Sequence, residues 1–207
     1  GLRIGEVTGL SWDDINLEEQ YLTVRRSLSR NNARHKLELG PTKRKKVRIV
    51  DFGDTLAEIL RKAKKEQHKQ RPFDIADDLN QFIKEVKEKN RIHYELYSLD
   101  GTQEVPEDYK EISLVCVRKD GMYLGTDALS NMCSSIAKHV EGLEHFHFHL
   151  LRHTFTSNLL ASGAPPKDVQ ELLGHSAVST TMNIYAHATR EAKKNSARLL
   201  DKVVGND

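Results

Sequence analysis

The chain has 207 residues, 38% hydrophobic and 30% charged, with a formal net charge of +2, the balance of a folded globular protein with room for one sizeable core and not of a disordered chain. No run approaches the roughly 18 apolar residues of a transmembrane helix, so no membrane partner is expected. Cys116 and Cys133 stand apart with no CxxC pairing, which excludes a disulfide scaffold and a zinc ribbon and fits a reducing cytoplasm.

Leu2 to Trp12 reads as the end of a helix whose beginning is cut away, so the chain is expected to be an N-terminally truncated fragment. Two strand-like runs come next. In Tyr21 to Ser27, Leu22 and Val24 share a face. In Lys46 to Phe52, Val47 and Ile49 share one face and Arg48 and Val50 the other. Between them lies a polar, Arg- and Asn-rich stretch ending in Gly40-Pro41. The pair predicts an antiparallel hairpin with a long basic connection, extended by a third short strand.

Asp54 offers an N-cap, and Leu56, Ile59, Leu60 and Ala63 follow at amphipathic-helix spacing. Arg71-Pro72 marks a break. Leu79, Phe82, Ile83 and Val86 predict another helix. From Ile92 to Ile112 the pattern is weak, with Asp100-Gly101 and Pro106 as turn signals. Residues 66–112 therefore look like an insertion. Ile112 to Val117 is expected to be extended, and Asp120-Gly121 to be a turn. Thr126 is expected to cap a helix with Leu129, Met132, Cys133, Ile136, Ala137 and Val140 as its apolar stripe. The last third reads as helix: His149 to Ser162, stopping at Gly163; Pro166 to Gly174, with proline in the first turn; one from near Ser179; and a tail helix over about 190–204. The expected fold class is α+β and mainly helical, with a small antiparallel β-hairpin or three-stranded sheet on one edge, in a single domain spanning 1–207.

The modest net charge conceals a concentration. Residues 25–48 hold ten Lys or Arg and one acid, Glu38. Such a local excess of cations suits phosphate, although a solvated basic hairpin without a partner has the same composition. In His149-Leu150-Leu151-Arg152-His153, positions 149, 152 and 153 fall on one helix face. Leu150, Leu151 and Phe155 suggest that this helix is largely buried. Two imidazoles and a guanidinium in that setting suit a phosphate, which arginine grips with a planar fork. His145, His147 and His149 also alternate as strand-borne metal ligands would, but no carboxylate or cysteine completes an obvious set.

Taken together, these pieces resemble the catalytic domain of the tyrosine recombinases, the integrases of phages and conjugative transposons. GLRIGEVTGLSWDDI at the start resembles the family's first arginine box. HLLRHTFTSNLLASGAPPKDVQELLGHSAVSTTMNIYAHAT resembles the second, with HxxRH, LGH and a tyrosine in order. The resemblance implies two arginines on the non-bridging oxygens of the scissile phosphate, Arg3 and Arg152. It implies a general acid for the leaving 5′ oxygen, Lys43, placed by counting back from Val50 with Lys45 and Lys46 close by. It implies histidines at the phosphate, His149 and His175, and the nucleophile, Tyr185. Glu6 and His153 take supporting positions.

The activity that the resemblance implies is site-specific DNA recombination, integration or excision of a mobile element, through a 3′-phosphotyrosine. Neither metal nor other cofactor is expected, since the cations are side chains. Double-stranded DNA would be the partner, held along Arg25, Arg26, Arg30, Arg34, Lys36, Arg44, Lys45 and Lys46. The resemblance also implies a homotetramer at synapsis, a directionality factor and a cytoplasmic, nucleoid-associated location. The core-binding and arm-binding domains of the family would lie upstream. Three other readings remain open: a type IB topoisomerase with the same chemistry, a catalytically idle DNA-binding module, and a metal-dependent His-box enzyme.

Overall fold

In the computed structural model, the described residues are 1–31, 36–42, 46–69, 80–89, 91–99, 102–118, 121–143 and 145–188, with the side chains of 68–69 and 184–188 left aside. Arg34, Lys43, Arg44, Lys45 and the expected tail helix over 190–204 lie outside them. The chain divides into two compact units, Leu2–Phe148 and Gly1 with His149–Asp207.

The larger unit begins with helix α1 (Ile4–Thr8) and a 3-10 turn at Trp12–Asp14. A three-stranded sheet comes next, of order β1 (Ile15–Asn16), β2 (Tyr21–Val24) and β5 (Arg48–Asp51), all antiparallel. This is the expected hairpin with its third strand. Leu22 and Val24 point inward, onto Leu10, Ile15 and Val50, while Val47 and Ile49 are exposed. The alternation read from the sequence thus fixes the faces.

The basic connection forms a hairpin of its own, β3 (Arg26–Asn31) and β4 (Lys36–Pro41). It seeds a second, five-stranded sheet of order β3-β4-β7-β6-β8. The other members are β6 (Asn80–Glu88), β7 (Arg91–Leu99) and β8 (Tyr109–Glu111). The helix expected around Leu79 to Val86 is therefore strand β6. Phe82, Ile83 and Val86 match helical spacing by coincidence. Glu88 pairs with Arg91 across a two-residue connection, and such a hairpin aligns nine residues on each side. The weak pattern after Ile92 is the return strand, alternating Tyr94 and Leu96 with His93 and Glu95. Strands accordingly take a larger share than a mainly helical chain would give, and among the described residues eight strands stand beside six helices.

Leu28, Leu39, Leu96, Ile112 and Leu114 form the core under this sheet. Helix α1 lies against β3 through two glycines. A Cβ on Gly5 would stand 2.6 Å from the Leu28 carbonyl oxygen, and one on Gly9 would stand 2.9 Å from the Leu28 nitrogen. Only glycine allows that approach.

Helix α2 (Asp54–Lys69) turns inward only part of the expected stripe, Leu60 and Ala63. Asp54 lies in its first turn, and Gly53 precedes it. Ala57 and Leu60 are buried, and Leu56 and Ile59 are exposed. The inward face continues to Gln67, which accepts from Trp12 Nε1 at 2.8 Å and donates to the Leu114 carbonyl at 3.0 Å. A polar anchor, invisible to hydrophobic spacing, sets the helix rotation. Helix α3 (Thr126–Ala137) is capped by Gly125, one residue before the expected Thr126. Of its expected stripe it buries Ala137, half-buries Leu129 and Cys133, and exposes Met132, Ile136 and Val140, so the inward face is one edge of that stripe.

The smaller unit holds α4 (Phe148–Ala161), α5 (Pro166–Leu173) and α6 (Val178–Ala188). Val169, Leu173 and Leu160 form its core. Gly174 ends α5 at φ 63°, ψ 40°, the left-handed cap that glycine adopts at little cost. Among the described residues, no helix is long and apolar enough to cross a membrane.

Candidate active site

The residues named from the sequence fall in both units. In the larger unit, Arg3 precedes α1 and Glu6 lies in its first turn. Arg3 donates from Nη1 to Glu6 Oε1 at 3.0 Å, and from its backbone nitrogen to Oε2 at 2.9 Å. A second arginine, not singled out from the sequence, grips the same carboxylate. Arg48 Nη1 and Nη2 donate to Oε1 and Oε2 at 3.0 and 2.7 Å. Burial pushes the Glu6 carboxyl up, but the Arg48 hydrogen bonds, the Arg3 backbone bond and both guanidinium charges outweigh it and hold the group below its usual range. The signal for Arg48 was present as its alternation with Val47 and Ile49, which puts a cation on the inward face of β5.

Lys43 lies outside the described residues, and Thr42 and Lys46 are the described residues nearest to it in the sequence. Thr42, itself buried, donates its hydroxyl to the Lys46 carbonyl at 2.9 Å.

Several cations of the basic segment have acidic partners. Arg25 and Arg26 both meet Asp14, at 2.7 and 2.9 Å. Arg30 meets Asp127 at 3.1 Å, and Lys36 meets Glu95 at 3.3 Å. Counting charge along the sequence could not reveal these pairings, because the acids come from distant segments.

In the smaller unit, α4 brings together the trio read from HLLRH. The His149 and His153 rings meet edge to face, centroids 5.2 Å apart. Arg152 is 3% exposed. Its Nη1 donates to the Gly1 carbonyl and its Nη2 to the Leu173 carbonyl. Leu151, expected to help bury this helix, is exposed instead. A buried guanidinium anchored on two main-chain oxygens has little freedom left, so its plane is fixed before any ligand arrives.

His175 follows the Gly174 cap. Its backbone nitrogen donates to the Gln170 carbonyl, and its own carbonyl accepts from Gln170 Nε2, both at 3.0 Å. Its ring Nδ1 lies 2.9 Å from the hydroxyl of Thr181 on α6. Sequence reasoning missed both Gln170 and Thr181, which are buried polar residues with no motif of their own. The bond at Nδ1 ties the tautomer and orientation of the ring to that hydroxyl. Tyr185 belongs to α6, one turn after Thr181, and its side chain lies outside those described.

Among the described residues, no three His, Cys, Asp or Glu side chains gather as metal ligands would, His145, His147 and His149 included.

A model of the phage integrase family matches residues 1–192. Among curated proteins, the chain is 29% identical over 210 residues to a tyrosine recombinase XerC-like protein of Caldanaerobacter subterraneus subsp. tengcongensis, covering 97% of this chain and 46% of that protein. It is 39% identical over 83 residues to tyrosine recombinase XerC of Bacillus subtilis, covering 40% of this chain and 27% of that protein. The chain thus spans less than half the length of these relatives. Among solved structures, the Tn1549 transposon integrase in complex with transposon right end DNA superposes with a TM-score of 0.65 at 22% identity, over 96% of this chain and 54% of that one. The XerA recombinase gives 0.62 at 20%, over 96% and 53%. Both share the fold.

Proposed function

Because the chain belongs to the phage integrase family, we propose that it carries the catalytic part of a site-specific DNA recombinase, integrating or excising a mobile element through a 3′-phosphotyrosine intermediate. The observation that carries this reading is the pair of anchored groups suited to phosphate in the segment that leads to Tyr185: Arg152 on α4, anchored on the Leu173 carbonyl, and His175 in the turn between α5 and α6, held by Thr181.

The chemistry follows from the residue types. An unperturbed tyrosine has a pKa of about 10, so Tyr185 must give up its proton as it attacks. Its oxygen bonds the phosphorus, the bond to the 5′ oxygen breaks, and Lys43 protonates the leaving oxygen. Negative charge grows on the non-bridging oxygens, where Arg3 and Arg152 stabilise it, with His149 and His175 beside them. Glu6 and His153 support these groups. A phosphodiester is exchanged for a phosphotyrosine ester, so the step requires neither ATP nor a cofactor. The 5′-hydroxyl of a partner strand reverses it, and two rounds recombine two duplexes.

The partner is double-stranded DNA, met by the basic segment 25–48. Residues 1–207 act as one catalytic domain, in a synaptic homotetramer biased by a directionality factor, in the cytoplasm at the nucleoid. A type IB topoisomerase would use similar chemistry, but the family match and the LGH-to-tyrosine spacing favour recombination.

The test is an SDS-resistant protein–DNA adduct on a nicked duplex spanning the joined ends of the element that carries the gene, in chelator and without ATP. Wild type is expected to form it and Tyr185→Phe is not. Strand-exchange products then separate a recombinase from a topoisomerase. Binding without an adduct from wild type would sink the enzyme reading in favour of an idle DNA-binding module.

A further inference from the structure

Glu6 is one buried carboxylate shared by two arginines from different elements. Arg48 takes both of its oxygens in a two-bond fork, the strongest geometry available to such a pair. Arg3 takes one oxygen with its guanidinium and the other with its backbone nitrogen. The Arg3 side chain is 29% exposed and that of Arg48 13%, so Arg3 is the guanidinium that reaches further toward solvent.

We propose that Arg48 is a positioning residue for strand cleavage: through Glu6, it fixes the guanidinium of Arg3 in the orientation that meets the scissile phosphate. This rests on the recombinase reading above, which gives Arg3 its role. A buried carboxylate facing Arg3 alone would be poorly compensated and would tend either to take up a proton or to draw Arg3 inward. With Arg48 holding both oxygens, Glu6 stays ionised and orients Arg3 as a fixed acceptor. Lysine cannot substitute, because a single ammonium is a point charge without the planar fork. Arg48 also stands on β5, two residues after Lys46, whose carbonyl accepts from the Thr42 hydroxyl. One carboxylate therefore ties the element bearing Arg3 to the strand that follows Lys43 in the sequence.

The test has two arms. In the first, the protein is labelled with 13C at glutamate carboxyls and 15N at arginine side chains and followed by NMR. In wild type, Glu6 is expected to titrate below the usual carboxylate range and the Arg3 Nη1 hydrogens to exchange slowly. In Arg48→Met, the Glu6 midpoint is expected to rise and the Arg3 exchange to quicken. Arg48→Lys keeps the charge and serves as a second folded variant, expected to fall between the two.

In the second arm, single-turnover adduct formation is measured on the nicked duplex described above. At saturating DNA, Arg48→Met is expected to slow it by about tenfold to a hundredfold, the scale of a misplaced reacting group. The double variant with Glu6→Gln is expected to be no slower than Glu6→Gln alone. Wild-type Arg3 exchange in both Arg48 variants would overturn the proposal, and so would losses that multiply in the double variant. No adduct from wild type, beside an intact coupling in the spectra, would instead overturn the recombinase reading and leave the positioning of Arg3 standing.

Discussion

Arg152 Nη2 stands 2.6 Å from the carbonyl oxygen of Leu173, the last residue of α5. Two residues on is His175, so one guanidinium satisfies a helix-end carbonyl beside the turn that presents an imidazole. Arg152→Lys is expected to slow adduct formation by about a hundredfold to a thousandfold, the usual cost of removing one charge-stabilising donor. It should also lower the unfolding free energy by about 1–3 kcal/mol, because a buried acceptor loses its partner. Chemical denaturation beside the adduct assay checks both. Wild-type stability in the variant would show that the anchor is dispensable.

Thr181, on α6, meets the ring of His175 through its hydroxyl. Thr181→Val keeps the shape and removes the hydroxyl. The loss of a neutral hydrogen bond, about 0.5–1.5 kcal/mol, corresponds to roughly a twofold to tenfold slower adduct formation, with DNA affinity unchanged. Thr181→Ser is expected to restore the rate. Restoration by serine separates a role for the hydroxyl from one for packing alone.

The Glu6 carboxyl lies below its usual value in the folded protein. A depressed carboxylate contributes stability that is fully present above its unfolded pKa of about 4.3 and is lost as pH falls through the folded value. Stability measured by urea denaturation should therefore fall on acidification in wild type, and fall less steeply in Glu6→Gln. Parallel profiles for the two proteins would contradict this linkage.

The acidic partners of Arg25, Arg26, Arg30 and Lys36 bear on how the proposed DNA partner would be held. A cation already paired within the protein must exchange one anion for another, so it adds less to binding. The triple variant Arg44→Gln, Lys45→Gln, Lys46→Gln is expected to flatten the dependence of log affinity on log salt, by about 0.9 for each phosphate no longer neutralised. Arg30→Gln with Lys36→Gln should flatten it less per charge removed. Equal effects per charge, measured by fluorescence anisotropy between low and moderate salt, would show that the pairs open on DNA.

Motifs and alternation were legible in the sequence, and partnerships across the chain were not. The turn at Gly174 and the proline start of α5 could be read directly, because each depends on one residue's backbone preference. The faces of β2 and β5 could be read because their period is two. Strand β6 could not, since Phe82, Ile83 and Val86 fit a helical face better than a strand face, and only pairing with β7 overrides that spacing. Helix α2 follows its hydrophobic spacing only in part because Gln67, a polar residue, fixes its rotation through Trp12 and Leu114. Arg3, Glu6, Arg152 and His175 stand out through their motifs. Arg48, Thr181 and Gln170 do not, because their significance lies in what they touch.

The order of the five-stranded sheet gives the larger unit a direction in which to diversify. Helix α1 rests on β3 at one margin, through glycines that admit no side chain. The strands β6, β7 and β8 accumulate toward the opposite margin, beyond β4. Length added beyond β8 would change what the molecule displays there while leaving β3, the bed of α1, four strands away. Such a layout would let the outer margin grow while the seat of Arg3 keeps its shape.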